Sequence, residues 1–313
     1  MTIVLGCGRM GAGTGSRSQR LASHAGVVSS VDGFETFLFD NDSKAACQAA
    51  SSLGLNMLDT IDKKNLQAFD CAVVCTPTKE HFNQLRLLME CEIPLIVCEK
   101  PVCSNIREAH SLEKLRRIFP GRIVVNYTRR FLPAYIRLKK HFVMLMQVES
   151  LKCCAIRYQR GFLNNASHAL DLAQFLTGWD ISKARLGISK RVYDEFSNDP
   201  TATCAGEWNG TFLSILGLPE VRFSLFEIDF FFERSAIRLR DRGDTIELAS
   251  SGKPEEYYAA LQTHKTTRGN LAEPLRHLYW HVQQMFRDSQ ILDNFDESLK
   301  LTQWMLESLK PKK

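Results

Sequence analysis

The chain has 313 residues, 44% of them apolar and 24% charged, with a formal net charge of +5. That length accommodates two domains with separate cores, and the composition is that of a folded globular protein rather than a disordered or fibrous one. No run approaches the ~20 apolar residues of a membrane span, no leader precedes Thr2, and the basic residues are dispersed, so a cytoplasmic protein with neither membrane nor nucleic acid as partner is expected. The ten cysteines fall within apolar runs such as Cys71-Ala72-Val73-Val74-Cys75 without metal-ligand spacing, which predicts reduced core thiols and no bound metal. The tail Lys310-Pro311-Lys312-Lys313 reads as a frayed end.

The first strand, Thr2 to Leu5, runs into Gly6-Cys7-Gly8-Arg9-Met10-Gly11. In a strand-to-helix position this G-x-G-x-x-G spacing serves a dinucleotide: Gly6 permits the tight turn, Gly8 lets backbone approach a pyrophosphate, and Gly11 lets a helix pack on the sheet. The N-terminus of that helix would offer N–H donors to the phosphates. Gly6, Gly8, Arg9, Met10 and Gly11 are therefore candidate cofactor contacts. A second apolar run, Phe37-Leu38-Phe39, ends at Asp40. An acid there can accept both ribose hydroxyls and repels a 2′-phosphate, so NAD is favoured over NADP; the alternative is that Asp40 caps a helix starting near Ser43. Its spacing from Gly11 exceeds the usual ~20 residues, an excess assigned to a longer connection through His24-Ala25-Gly26 and Asp32-Gly33.

The strand Cys71 to Cys75 ends in Thr76-Pro77-Thr78, and a helix from about Lys79 to Cys91 carries His81 in its first turn. Thr76, Pro77 and His81 are candidate cofactor neighbours, with a structural role the competing reading of His81. The next run, Leu95-Ile96-Val97-Cys98, stops at Glu99-Lys100-Pro101, and a residue before proline favours extended geometry, so Lys100 is held at the strand end where open α/β sheets bind ligands. A helix from Asn105 to Phe119 and a strand from Arg122 to Asn126 follow. Strands alternating with helices predict a doubly wound parallel sheet, here a Rossmann domain over 1–125.

From 126 to 313 the pattern changes to an α+β domain with a large open, mostly antiparallel sheet. A helix around Pro133 to Phe142 precedes a strand from Gln147 to Tyr158 and the loop beginning Arg160-Gly161. Helical spacing starts at Ser167 and stops at Gly178, placing His168 in the first turn with Asn164 one turn earlier. Strand-like runs fill Ile181 to Leu248, and Phe230-Phe231-Phe232 must alternate sides, one face core and the other a candidate subunit interface. Thr263 to Asn270 has no periodicity and reads as a mobile loop near the site. Two amphipathic helices, Leu271 to Phe286 and Phe295 to Leu309, close the chain.

With the glycine turn, Cys75-Thr76-Pro77-Thr78-x-x-His81, Glu99-Lys100-Pro101 and His168-x-x-Asp171-Leu172 in this order, the chain resembles the Gfo/Idh/MocA oxidoreductases, which include glucose-fructose oxidoreductase and inositol dehydrogenase. The stretch from Arg160 to Asp171 is most similar to members encoded with surface-polysaccharide genes. The resemblance implies hydride transfer between NAD and a secondary alcohol or ketone of a sugar, cyclitol or nucleotide-linked sugar, in a homodimer or homotetramer built through the C-terminal sheet. It places Lys100 and His168 as catalytic groups, with Glu99 and Lys100 also near the cofactor. Where many members carry an aspartate, this chain has Asn164, an amide that cannot take up a proton near neutral pH, so Asn164 and Asn165 are expected to orient substrate hydroxyls. Arg129-Arg130 and Arg160 could meet a substrate phosphate or serve as ion-pair partners. Two other readings share the fold: an oxidoreductase that keeps and recycles its NAD, and a catalytically silent NAD-binding regulator.

Overall fold

The computed structural model describes residues 1–13, 16–252 and 259–310; the tail past Lys310, read as frayed, lies outside them. In chain order the elements are β1 (Thr2–Leu5), α1 (Arg17–Leu21), α2 (His24–Val28), β2 (Thr36–Phe39), α3 (Ser43–Leu53), β3 (Asn56–Met57), α4 (Lys63–Leu66), β4 (Cys71–Val74), α5 (Thr78–Glu90), β5 (Leu95–Cys98), α6 (Ile106–Arg116) and β6 (Arg122–Val125). They continue with α7 (Pro133–Leu145), β7 (Leu151–Tyr158), α8 (Ser167–Thr177), β8 (Arg185–Val192), β9 (Thr201–Trp208), β10 (Thr211–Gly217), β11 (Phe226–Phe232), β12 (Ser235–Arg240), β13 (Thr245–Ser250), β14 (Gln262–Arg268), α9 (Pro274–Arg287) and α10 (Phe295–Ser308). Two compact units result, Met1–Thr128 with Glu273–Gln303, and Arg129–Ala272 with the chain from Trp304 on.

The first unit is a parallel sheet of order β3-β2-β1-β4-β5-β6, the expected doubly wound arrangement. Its central strands are apolar throughout, with Ile3, Val4, Leu5, Val73, Val74, Ile96 and Val97 all fully buried, as a sheet covered on both faces requires. Asp42, not Asp40, caps α3, accepting from the N–H groups of Lys44 and Ala45, and Gly54 at φ 68° ends that helix. This removes the helix-cap alternative for Asp40.

The units do not divide where the sequence pattern changes. Residues 273–303, expected in the second domain, belong to the first unit. Leu278, Tyr279, Val282 and Met285 line the buried face of α9, which packs on α2. The Asn294 amide then pairs with edge strand β6, accepting from Val125 N–H at 2.8 Å and donating to Val125 C=O at 3.0 Å. An otherwise bare sheet edge is thereby closed from the far end of the chain.

The second unit is an eight-stranded sheet of order β14-β13-β12-β11-β7-β10-β9-β8, antiparallel except for the β7–β10 pair. Phe142 of α7 meets Phe230 and Phe232 edge-on, with ring centroids 4.9 and 5.2 Å apart. Both phenylalanines are buried while Phe231 between them is half-buried, so the alternation read from the triplet holds. The segment expected to be a mobile loop is instead strand β14, paired antiparallel with β13. Every residue of Gln262–Arg268 is exposed, so its order comes from backbone pairing, and no buried face imprints a period on its sequence.

Candidate functional site

In the first unit the glycine turn is built as its spacing demands. Gly6 has φ +97°, and a Cβ there would lie 2.9 Å from the Cys75 carbonyl carbon; a Cβ on Gly11 would lie 1.7 Å from the Gly6 oxygen. Only glycine fits either place. A Cβ on Gly8 would meet nothing within 4 Å, which leaves backbone open to approach, and Arg9 and Met10 beside it are exposed. The helix that follows among the described residues is short. Gly13 at φ +75° interrupts the chain, α1 is five residues long, and the first N–H groups of α2 bond the carbonyls of Met10 and Gly11 at 2.9 and 2.8 Å. The N-terminus of α2 thus holds the turn from behind.

Asp40 stands at the end of β2, its Oδ2 accepting from the Cys7 N–H at 2.7 Å and its Oδ1 from the Asp42 N–H at 2.9 Å. It is only partly buried. Burial, reinforced by the Asp40 charge, pushes the Cys7 thiol up to about 12, so this cysteine stays protonated and is no nucleophile. A turn closed by two obligatory glycines, open above Gly8, with an acid at the neighbouring strand end, fits a dinucleotide.

The end of β5 carries a network that single residues did not announce. Glu99 Oε1 accepts from Asn126 Nδ2 at 2.6 Å and lies 2.8 Å from His24 Nε2, while His24 Nδ1 lies 2.6 Å from the Tyr279 hydroxyl. All four residues are buried. Burial alone would raise the Glu99 carboxyl, but the His24 and Asn126 hydrogen bonds, with the charges of His24 and Lys100, hold it below its ordinary value. Lys100, next in the chain, is partly exposed. The Lys100-Pro101 peptide is cis.

His81 is buried, with Nδ1 2.8 Å from the Pro101 carbonyl and Nε2 2.9 Å from the Thr76 carbonyl. It clamps two strand ends, which is the structural role; burial lowers its pKa, and the neutral ring donates to one carbonyl at a time. Thr76 Oγ1 bonds Gln84 at 3.1 Å, and exposed Pro77 precedes α5.

In the second unit a cavity of about 540 Å³ is lined by His168, Asn165, Arg129 and Arg242, with Phe226 and Asp244 among the others. His168 reaches it because a single π-helical turn, Phe162–Ala166, runs directly into α8. Asp199 pins that turn by accepting from the N–H groups of Leu163 and Asn164 at 2.7 and 2.8 Å. Of the paired asparagines, Asn165 lines the cavity; Asn164 does not, its amide donating to the Arg160 carbonyl at 3.3 Å. Arg130, a candidate phosphate ligand, is buried with Nε 2.9 and 2.8 Å from the two oxygens of Asp171. Arg160 pairs with Glu195 on the surface. Both cations are matched within the protein. Their neighbour Arg129 lines the cavity instead, stacked 3.8 Å over the Phe226 ring.

Sequence reasoning missed His24, whose partners lie 75 and 255 residues away, and Arg242, whose one local signal is the turn Asp241-Arg242-Gly243.

Residues 2–127 match the model of a family described as the oxidoreductase family with an NAD-binding Rossmann fold, GFO_IDH_MocA. The resemblance drawn from the motifs is thus borne out over that domain. No curated protein matches in sequence. Among solved structures, UDP-N-acetylglucosamine 3-dehydrogenase GnnA from Acidithiobacillus ferrooxidans is 17% identical, with 98% of this chain and 95% of that chain covered at a TM-score of 0.74. A myo-inositol dehydrogenase, so assigned on a provisional basis, from Sinorhizobium meliloti 1021 is 16% identical, covering 98% and 96% at 0.69. The super-repressor mutant of Gal80p from Saccharomyces cerevisiae is 13% identical, covering 98% and 95% at 0.76. These similarities establish the two-domain fold. Among the described residues no helix is long and apolar enough to cross a membrane.

Proposed function

We propose that this chain, whose residues 2–127 match an NAD-binding oxidoreductase domain, is a dehydrogenase acting on a secondary alcohol or ketone of a sugar, cyclitol or sugar nucleotide. The observation that carries the reading is His168, held at the start of α8 and opening on a cavity sized for a small molecule. NAD, when bound, supplies the hydride acceptor, and Gly6, Gly8, Gly11 and Asp40 are the residues to hold it. His168 takes the hydroxyl proton as the carbinol carbon gives up hydride, the general-base task that an imidazole serves. Lys100 stabilises the developing alkoxide with its cation. Asn165 positions substrate hydroxyls from the cavity wall. Asp40 at its strand end supports NAD over NADP, since a carboxylate repels a 2′-phosphate.

The exposed face of the second sheet supports a homo-oligomer: Phe212 and Leu216 project from one side of β10 and are 54% and 44% exposed. The similarity to Gal80p supports a second reading as a silent NAD-binding regulator. A panel of UDP-, GDP- and CMP-sugars and free cyclitols, followed by NADH absorbance, separates the two. Turnover of any of them supports the dehydrogenase, whereas NADH binding without turnover across the panel favours the regulator.

A further inference from the structure

The cavity of the second unit carries positive charge that its own walls do not match. Arg129 enters it from the 3-10 turn Thr128–Phe131, donating from Nη2 to the Arg242 carbonyl at 2.7 Å. Its Nε is enclosed, with the Tyr135 hydroxyl as its polar neighbour rather than a carboxylate. Among the described residues no carboxylate lies within 4.0 Å of the Arg129 or Arg242 guanidinium. The acid in the lining, Asp244, is already engaged: Oδ1 accepts from Leu271 N–H at 3.1 Å and Oδ2 lies 3.3 Å from Arg268. Two half-buried arginines elsewhere in this unit are matched by carboxylates, Arg157 by Glu227 and Asp229 and Arg240 by Asp229, whereas half-buried Arg191 bonds the backbone carbonyls of Ser308 and Lys310.

The two arginines are also built into one device. Asp241, Arg242 and Gly243 have φ of 51°, 61° and 85°, a left-handed run that disfavours the two non-glycine residues. The run is held by Tyr135, whose hydroxyl donates to the Gly243 carbonyl, by the 2.6 Å bond from Thr245 Oγ1 to Asp241, and by Arg129 on the Arg242 carbonyl. Placing Arg242 on the cavity wall therefore depends on Arg129, and both residues line the same space. Planar forks presented together are suited to an oxyanion with two or more oxygens.

We infer that Arg129 and Arg242 form an oxyanion subsite, and that the substrate is a sugar bearing a phosphoryl or carboxylate group rather than a neutral sugar or cyclitol. This rests on the reading that His168 serves a carbohydrate hydroxyl in the same cavity. The subsite selects the substrate through its charged arm and leaves the neutral carbon to His168 and Asn165.

The test is a calorimetric titration of the full-length protein with UDP, inorganic pyrophosphate, glucuronate and, as neutral controls, glucose and inositol, repeated on Arg242→Gln. Arg242 is exposed, so the variant should fold with an unchanged Tm; Arg129→Lys, which keeps the charge but loses the fork, is the second variant. UDP and pyrophosphate binding without glucuronate points to a phosphoryl arm, and glucuronate binding alone to a carboxylate arm. In either case Arg242→Gln should weaken the bound anion about 10-fold or more, the loss of a charge-assisted hydrogen bond, while NADH affinity is unchanged. Failure of every anion to bind, binding that Arg242→Gln leaves intact, or a fall in NADH affinity overturns the subsite. The two readings fail separately. Turnover of a neutral sugar unaffected by Arg242→Gln keeps the dehydrogenase and removes the subsite, whereas anion binding lost in Arg242→Gln without turnover of any sugar keeps the subsite and removes the dehydrogenase.

Discussion

The strand ends of the first unit and the cavity of the second are both lined with polar side chains, yet they are organised in opposite ways. At the first, His24, Glu99, Asn126 and Tyr279 satisfy one another, and His81 spans two backbone carbonyls. At the second, Arg129 and Arg242 line the cavity, and among the described residues no carboxylate lies within 4.0 Å of either guanidinium. A buried polar group that leaves its partner unpaired costs more than the pair contributes, so saturated networks act as scaffold. Groups left unmatched in a cavity mark where a ligand supplies the missing half. The contrast separates residues that hold the fold from residues proposed to meet substrate, a distinction that residue type alone does not make.

That contrast can be broken most sharply at His24. Its replacement by Ala should lower stability by about 3 kcal/mol, because the buried Glu99 carboxylate loses its partner; urea denaturation measures this, and a change within the noise would mean the network is not scaffold. At the working groups the cost should fall on rate. His168→Ala and Lys100→Ala should each slow turnover of an identified sugar by roughly 100-fold, with NADH affinity preserved and the residual His168→Ala rate rising at high pH. Loss of NADH binding in Lys100→Ala would move that residue from chemistry to cofactor retention.

Acid gives a third test. Glu99 and His81 both have lowered pKa values in the folded protein, so the unfolded chain binds more protons and stability rises with pH through their titration. For His81 the contribution is fully present above its ordinary value of 6.5 and is lost as pH falls through the folded value. Glu99 adds a further loss at lower pH, below the ordinary carboxyl range. The urea midpoint should therefore fall on acidification from about pH 7 to about pH 5, less steeply in His81→Gln; a flat profile in the unmodified protein would contradict this assignment. The smallest effect concerns the cofactor. NADH should bind more tightly than NADPH, and Asp40→Ala should narrow the gap by about 10-fold, one modest charge repulsion. Equal affinities before mutation would remove Asp40 from the ribose site.

The parallel sheet was legible because β1, β2 and β5 are apolar runs ending at Gly6, Asp40 and Glu99-Lys100-Pro101, so layer and binding edge are written locally, whereas the two-residue β3, Asn56–Met57, carries no such run. Gly6 and Gly11 were legible from their spacing in the glycine turn, and the close approaches that require them lie at Cys75 for Gly6 and at the Gly6 carbonyl for Gly11. Strand β14 was not, since Gln262–Arg268 buries no side chain and takes its order from hydrogen bonds to β13. Nor was the allegiance of α9, because an amphipathic face states that something is covered without stating what. Arg130 and Arg129 differ only in what stands opposite, Asp171 for one and an open cavity for the other, and no adjacent pair of identical letters can carry that difference.

The bond between Asn294 and Val125 also orders events in time. Translation delivers residue 294 long after residue 125, with nearly all of the second unit emerging between them. On the ribosome the edge of β6 therefore waits open while the eight-stranded sheet is already available to form, and the nucleotide-binding half of the protein, first to be made, is last to be sealed.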